Sequence, residues 1–375
     1  MTIDLPFTRP SIDEATIAGV VEVLRSGWIT TGSQVAKFEG ALQDYLGGKR
    51  PVRVMTSATG ALEIALLAAG IGHNSEVIVP AMTFAASANV ILRVGAKPIF
   101  VDVDLLTRNV IPEAVERAIT SRTRAIMPVH FAGLSVDMDA ISDIAARYRL
   151  RVIEDAAHAI GTSYKGKRIG SFGDQVCFSF HPNKNMTTIE GGAISSENME
   201  ELRTIELERF HGQVRDTEGN TDVLRAGGKY NLTDVAACVG IGQLQQLDGF
   251  NARRRELALR YFQLLEGRFA GVLPARGDDG HSWHLFGVLI PFESIGLTRP
   301  QFQHAMAQRG IGIGVHYPNV ADLSLYRGLG YRGADFPNAQ RIGQETVTLP
   351  LFPAMKNSDV ERVCTELLEV LDTAK

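Results

Sequence analysis

A lysine and an aspartate near the middle of the chain have types and surroundings that suit covalent chemistry. Lys184 lies in the polar, glycine-bounded segment FSFHPNKNMTTIEGGA, residues 178–193, and Asp155 ends the apolar run RVIED. A lysine amine attacks carbonyl carbons when its surroundings lower its pKa. A carboxylate after a strand can pair with a protonated ring nitrogen, or it can cap the following helix. Lys184 alone would be an ordinary surface lysine, but the pair predicts an aldehyde cofactor.

Pyridoxal phosphate (PLP) is the cofactor that these residue types fit. It needs a lysine amine, a carboxylate for its pyridine nitrogen and hydrogen-bond donors for its phosphate. Thr59 and Gly60 follow a predicted strand and open a predicted helix, whose first N–H groups suit a phosphate. Ser179, between two phenylalanines near the lysine, is a second candidate donor. Simple capping of the helix is the alternative for the Thr59 turn.

Aromatic and polar residues elsewhere could complete such a site. Phe84 could lie against the pyridine ring, although core packing also explains it. His158, one turn after Asp155, could bond the ring hydroxyl or only pack. Asn231 could reach a phosphate across a subunit interface, or cap a helix. The candidates for substrate contacts, each with an ordinary structural role as the alternative, are Phe7 in LPFTRP, Trp28 and Thr30 in GWITTG, Lys229 in KYNLTD, and His316 and Tyr317 in GVHYP.

Composition limits the classes of function. The chain has 375 residues, a net charge of −4 and 45% hydrophobic residues, which predicts a globular enzyme of roughly two domains. The weak negative charge argues against a nucleic-acid or anionic-membrane partner. Three distant cysteines without a CxxC pair favour neither disulfides nor a cysteine-rich metal site, so no metal is predicted. With no leader pattern and no long apolar run, we expect a cytoplasmic protein.

Alternating short apolar runs and helical patterns between residues 50 and 200 predict an α/β fold with a mainly parallel sheet. The predicted strands are 52–56, 76–80, 97–104, 124–130 and 151–155, and the predicted helices are 58–70, 84–95 and 137–149. In such sheets ligands bind at the carboxyl ends of strands, where Asp155 and the turn before Thr59 lie.

After residue 192 the pattern turns helical, over 199–210 and 234–267. A smaller α+β unit follows, with predicted strands at 282–292 and 311–318 and predicted helices at 300–310 and 359–372. No linker of low complexity marks a boundary, and we place it between about residues 245 and 270. The prediction is a large domain over 1–250, which includes the N-terminal segment, and a small C-terminal domain over 251–375.

At this point the chain resembles a known family, the DegT/DnrJ/EryC1/StrS aminotransferases of sugar nucleotides, which have PLP fold type I. The resemblance covers almost the whole chain and rests on motifs in order: LPFTRP (5–10), SGWITTG (26–32), SATGAL (57–62), PVHFAG (128–133), VIEDAAHAIGTSYKGKRIG (152–170), FSFHPNKN (178–185), EGGAI (190–194), FHG (210–212), KYNLTD (229–234), NARRRE (251–256), WHLF (283–286) and LPLFPAM (349–355).

The resemblance implies a large domain with a seven-stranded, mainly parallel sheet flanked by helices, a smaller C-terminal α+β domain, and a homodimer with active sites built from both chains. It also implies roles for single residues. These are Lys184 as the lysine that bonds the cofactor, Asp155 at the pyridine nitrogen, Thr59, Gly60 and Ser179 at the phosphate, Phe84 on the ring, His158 near the ring hydroxyl, and Asn231 from the partner subunit.

The implied reaction moves the amino group of L-glutamate to a nucleotide-linked 4-keto sugar, by way of PLP and its amino form PMP, and leaves 2-oxoglutarate. LPFTRP, SGWITTG, FHG and LPLFPAM are most similar to enzymes that aminate a UDP-linked 4-keto-pentose, so UDP is the expected nucleotide. The products of such enzymes enter lipid A, other cell-surface polysaccharides or secondary metabolites.

Three positions differ from the pentose-type pattern: Phe84 replaces a frequent tryptophan, Gly228 replaces a frequent tyrosine, and no histidine closely follows Tyr317. The sugar therefore stays open. A 3-keto sugar or a cyclitol as acceptor, a PLP-dependent dehydration, and a non-catalytic PLP-binding relative are the alternatives. Lys184 favours transamination, because the dehydratases of the group carry histidine at that position.

Overall fold

The computed structural model describes residues 3–373, so the predicted domain limits at residues 1 and 375 lie outside the described residues. The helices in this range are α1 (Glu14–Ser26), α2 (Ser33–Tyr45), α3 (Ala58–Ala68), α4 (Ala85–Arg93), α5 (Pro112–Arg117), α6 (Met138–Tyr148), α7 (Met199–Arg209), α8 (Asp234–Leu265), α9 (Arg299–Gln308), α10 (Ser324–Gly328), α11 (Pro337–Glu345) and α12 (Asn357–Asp372). The strands are β1 (Val52–Met55), β2 (Glu76–Pro80), β3 (Lys97–Val101), β4 (Thr123–Ile126), β5 (Arg151–Asp155), β6 (Ser163–Tyr164), β7 (Lys167–Arg168), β8 (Gln175–Ser179), β9 (Gly192–Ser196), β10 (Gln213–Arg215), β11 (Thr221–Val223), β12 (Phe286–Leu289) and β13 (Thr346–Leu349).

A seven-stranded sheet in the order β1-β9-β8-β5-β4-β2-β3 is the centre of the fold. Only β9 runs antiparallel to its neighbours, β1 and β8, while the other pairs are parallel. Every residue of β2, β8 and β9 is buried, as expected for a sheet covered on both faces. The predicted α/β class with a mainly parallel sheet is confirmed.

The sequence pattern does not predict β8 and β9, whereas the helix predicted over 199–210 is confirmed as α7. Both strands have five residues, and β9 reads Gly-Ala-Ile-Ser-Ser. Five residues are too few to show a clear period, and the glycine, alanine and serines of β9 have little intrinsic preference for strand. They become strands because they pair with each other over their whole length, from Gln175 opposite Ser196 to Ser179 opposite Gly192.

A second, small sheet organises the C-terminal part of the chain. β12 and β13 pair antiparallel, so the strand predicted over 282–292 is confirmed only for Phe286–Leu289. The strand predicted over 311–318 is wrong, because only Ile311 and Gly314 make isolated bridges, to Leu5 and Thr348. Glycine has a low strand propensity, and this segment has no continuous neighbouring strand to compensate.

Helix α8 is continuous from Asp234 to Leu265 and is capped by Thr233, whose side chain accepts from the Ala236 N–H. Residue 250 therefore lies inside a helix, and the division into domains 1–250 and 251–375 stays a prediction. One core cluster unites the C-terminal half of α8 with the small sheet and α12 through Tyr261, Phe286 and Leu367. Within residues 3–373, none of the helices has the length and apolar composition that crossing a membrane requires.

Candidate active site

A cavity of about 310 Å³ lies at the carboxyl ends of the central strands. This is the edge at which open α/β sheets bind ligands, and the volume falls in the range of about 300–1,000 Å³ typical of small-molecule sites. Asp155 is the last residue of β5 and Ser179 the last of β8, while α3 and α4 begin at the same edge. The predicted residues that line the cavity are Thr59, Phe84, Asp155, His158, Ser179, Lys184, His316 and Tyr317.

Lys184 is placed by the loop between β8 and β9. Its N–H donates to the His181 carbonyl at 2.9 Å, which makes a turn that directs the side chain toward the cavity. Burial lowers the pKa of Lys184 to about 8, although the nearby Asp155 acts in the opposite direction. About a tenth of the amine is therefore unprotonated at pH 7, far more than for an ordinary lysine, and is available as a nucleophile or base.

Asp155 faces the cavity with its two carboxylate oxygens held by the protein. Oδ1 accepts from the Ala157 N–H at 3.1 Å, and Oδ2 accepts from the Ser87 hydroxyl at 2.7 Å. Burial raises the pKa of Asp155, while the Ser87 and Ala157 hydrogen bonds and Lys184 lower it. A buried carboxyl of this kind gains from a cationic partner such as a protonated pyridine nitrogen.

Sequence reasoning missed Ser87 and Thr83, which lie behind Asp155. The Thr83 and Ser87 hydroxyl oxygens are 2.9 Å apart, and both side chains are buried. The available signal was the spacing TFAAS, which puts two hydroxyls one turn apart at the start of the helix that follows β2. That spacing does not say which carboxylate the hydroxyls face.

The start of α3 forms one end of the cavity. Ser57 is the N-cap of α3, and its hydroxyl accepts from the Gly60 N–H at 3.0 Å. The Gly60 N–H is therefore already hydrogen-bonded, and Gly60 does not line the cavity. The helix leaves the N–H groups of Ala58 and Thr59 without intrahelical partners. Together with the Ser179 hydroxyl they form a donor set that suits a phosphate.

Aromatic rings form another wall. Phe84 is 58% exposed although it lines the cavity, so its ring has a free side for a flat ligand. Tyr317 lies at 5.6 Å from Phe84, measured between ring centroids, and its hydroxyl is 3.2 Å from His158 Nε2. Burial and Lys184 lower the pKa of His316 to about 4, so this side chain is neutral at pH 7.

Besides Gly60, five predicted residues do not line this cavity. Phe7 stacks on His316 from outside, with ring centroids 5.1 Å apart. The other four lie in the segments before α2 and before α8. The Asn231 side-chain amide donates to Thr31 Oγ1 at 2.6 Å and accepts from Lys229 Nζ. The Thr30 carbonyl accepts from the Asp234 N–H, and Trp28 is 63% exposed. Their roles toward a substrate or a partner subunit stay predictions.

The cavity fits PLP on its own chemistry. It combines a half-buried amine of lowered pKa, a buried carboxylate, a helix N-terminus with free N–H groups beside a hydroxyl, and an aromatic face left open. These are the partners that the aldehyde, the ring nitrogen, the phosphate and the ring of this cofactor require. Among residues 3–373, no group of three or more histidine, cysteine, aspartate or glutamate side chains could hold a metal ion.

Comparisons with known proteins agree with this chemistry. The family described as the DegT/DnrJ/EryC1/StrS aminotransferase family matches residues 10–368. Uncharacterized protein MJ1066 of Methanocaldococcus jannaschii is 40% identical, over 98% of this chain and 97% of its own length.

Solved structures of sugar aminotransferases have the same fold. Spr1654 of Streptococcus pneumoniae, assigned as a sugar aminotransferase, is 32% identical in its PMP form, with a TM-score of 0.92 and coverage of 99% of this chain and 98% of that one. It is also known in a PLP form. Helicobacter pylori PseC, an aminotransferase involved in the biosynthesis of pseudoaminic acid, is 27% identical, with a TM-score of 0.93 and coverage of 98% and 99%.

Proposed function

Because the chain belongs to the DegT/DnrJ/EryC1/StrS aminotransferase family, whose members use PLP, we propose that it transfers the amino group of L-glutamate to a nucleotide-linked 4-keto sugar. The meeting of Lys184 and Asp155 in one cavity is the observation that carries the proposal. Sugar aminotransferases among the structural relatives support the acceptor class. The motifs shared with pentose-type enzymes support a UDP-linked 4-keto sugar.

The two ionisable side chains have separate tasks. When bound, PLP accepts the amino group and withdraws the electron pair left at the donor carbon. Asp155 would hold the proton of the pyridine nitrogen, because a buried carboxylate gains from a cationic partner. Lys184 Nζ, with a pKa of about 8, takes the proton from the donor carbon and can return it in the second half of the reaction.

Other residues hold and orient the cofactor. The Ala58 and Thr59 N–H groups and the Ser179 hydroxyl would bind the phosphate, where the α3 dipole would add attraction. Phe84 would cover one face of the ring and keep water from it. One cofactor that alternates between two substrates makes ping-pong kinetics the expected pattern.

We also propose a cytoplasmic homodimer in which Asn231, Lys229, Thr30 and Trp28 reach the cavity of the partner subunit. Three observations support the dimer: these residues cluster away from their own cavity, Trp28 is largely exposed, and its neighbour Ile29 is 49% exposed. Neighbouring exposed apolar side chains such as these are found at interaction sites. The free state of the three cysteines suits a reducing compartment.

The direct test is to incubate the purified protein with glutamate and a panel of UDP-, dTDP- and GDP-linked keto sugars, and to read product masses. We expect an amino sugar nucleotide and 2-oxoglutarate in equal amounts, and none from Lys184→Ala. Release of 2-oxoglutarate without an aminated sugar from any acceptor would contradict the sugar assignment. Product from Lys184→Ala at an undiminished rate would contradict the mechanism.

A further inference from the structure

Both ring nitrogens of His158 are engaged by protein groups. The Ala132 N–H donates to Nδ1 at 3.3 Å, so Nδ1 is an acceptor and carries no proton. Burial, with smaller effects of Lys184 and His316, lowers the pKa of His158 well below its ordinary value, so the ring is neutral. Its one proton therefore lies on Nε2, which is 3.2 Å from the Tyr317 oxygen. In this contact His158 donates and Tyr317 accepts.

Tyr317 keeps its own hydrogen for another partner. Its oxygen accepts from His158, and no group in residues 3–373 accepts the Tyr317 O–H. Burial and then Asp155 raise the pKa of Tyr317, so the phenol stays protonated at neutral pH. Since Tyr317 lines the cavity, its hydroxyl is a fixed hydrogen-bond donor for a bound molecule.

The order of substituents on PLP identifies the acceptor. The hydroxyl-bearing carbon lies between the ring nitrogen edge and the aldehyde-bearing carbon, on the side away from the phosphate. If Asp155 holds the nitrogen and Lys184 the aldehyde, the ring hydroxyl would need a donor among the other polar side chains that line the same cavity, which include His158 and Tyr317. We propose that Tyr317, and not His158, donates the hydrogen bond to the ring hydroxyl oxygen of PLP, and that His158 is a positioning residue that orients the Tyr317 hydroxyl. This refines the proposed function and depends on it only through PLP binding.

A buried network behind His158 holds its ring in this orientation. The His284 ring lies 4.4 Å from the His158 ring, centroid to centroid, and His284 Nδ1 is 3.1 Å from Asn185 Oδ1. Asn185 Nδ2 donates to Asn251 Oδ1 at 2.7 Å and to the Ser282 carbonyl at 2.9 Å, which leaves Oδ1 as the acceptor for His284. The same asparagine adjoins Lys184, so one network orders the lysine loop and the histidine wall.

The groups around Tyr317 allow a clean spectroscopic test. Besides Tyr317, the ionisable side chains that line the cavity are Asp155, His158, His181, Lys184, Glu190 and His316. Burial keeps His158, His316 and the adjacent His284 neutral at pH 7. A hydrogen bond to the ring oxygen stabilises the deprotonated form of bound PLP. Loss of the donor must therefore raise the pH at which the absorption spectrum of the bound cofactor changes.

The experiment compares Tyr317→Phe with the wild-type chain by absorption spectra of the PLP-loaded protein over a pH series. Hydrogen bonds to charged acceptors predict an upward shift of about one to two pH units in the spectral transition. We also expect about tenfold weaker PLP binding in equilibrium titrations, but no loss of affinity for 3-deoxypyridoxal phosphate, which lacks the ring hydroxyl. Tyr326→Phe is the matched control, since Tyr326 is buried, its hydroxyl donates to Asn89 Oδ1 at 2.7 Å, and it does not line the cavity.

Variants of His158 test the positioning role. His158→Leu leaves the Tyr317 hydroxyl free to rotate and should give part of the shift. His158→Gln can accept from the Ala132 N–H and donate to Tyr317, so it should restore most of the wild-type value. In a Tyr317→Phe background, His158→Leu should add nothing.

Two results would overturn the inference: an unshifted spectrum in Tyr317→Phe, or a further shift on adding His158→Leu to that variant, which would mean that His158 contacts the ring directly. Either result with normal release of 2-oxoglutarate from glutamate would leave the proposed function intact. A wild-type protein that binds no PLP would overturn both.

Discussion

Replacing Lys184 by methionine should make the PLP-free chain more stable at neutral pH, although it removes the reactive group. The pKa of Lys184 falls from 10.5 to about 8 on folding because the ammonium loses its hydration. Between these two values the unfolded chain binds more protons than the folded chain, so the wild-type free energy of unfolding rises with pH through this window. Below pH 8 the folded protein carries the full cost of a desolvated ammonium.

The desolvated ammonium lowers the free energy of unfolding by about 3 kcal/mol, because the pKa of Lys184 falls from 10.5 to about 8 and each pKa unit corresponds to about 1.4 kcal/mol. The side chain keeps some exposure to the cavity and Asp155 loses a cationic neighbour in the variant, so we expect about 2 kcal/mol at pH 7. The gain should shrink above pH 8 and vanish near pH 10.5.

The assay is urea unfolding of PLP-free protein at a fixed protein concentration, at half-unit steps from pH 7 to 10.5. The informative quantity is the difference between variant and wild type at each pH, because the titration of all other groups is common to both. Lys37→Met is the matched control, since Lys37 is an exposed residue of α2 and methionine and lysine have similar helix propensities. A difference between Lys184→Met and wild type that stays constant over this pH range would refute the reasoning.

Three further outcomes are expected. Gly192→Ala should weaken PLP binding at least tenfold, because the added Cβ would lie 2.5 Å from Ala58 N, at the end of the cavity proposed for the phosphate. Gly249→Ala is the control and should bind PLP normally, since open space surrounds Gly249. Equal affinities of the two variants in equilibrium titration would contradict this prediction. Ser87→Ala should lower kcat about tenfold by removing a donor from Asp155, and an unchanged kcat would mean that this hydrogen bond does not matter for the reaction. Asp155→Asn should retain PLP but lose most transamination in stopped-flow single turnovers with glutamate, so a near-normal rate would exclude the pyridine-nitrogen contact.

Many helices and strands could be predicted from the sequence, because the residues that specify them are close together in the chain. The strands Glu76–Pro80 and Arg151–Asp155 and the helix α8 begin where the pattern predicts, since runs of apolar residues and capping residues act over a few positions. β9 was not readable in this way. Its five residues, four of them small, become a central strand only between β1 and β8, about 140 and 15 residues away in sequence.

By itself, the sequence determined the chemistry of this protein, because a lysine in a glycine-bounded polar loop and an aspartate at a strand end have reactivities that follow from residue type and near neighbours. The tertiary structure alone decided which groups complete the site. Ser87 reaches Asp155 across 68 positions, and Tyr317 reaches His158 across 159. Burial and hydrogen-bond direction depend on which segments pack together, and the periodicity of a single segment contains no information about its partners.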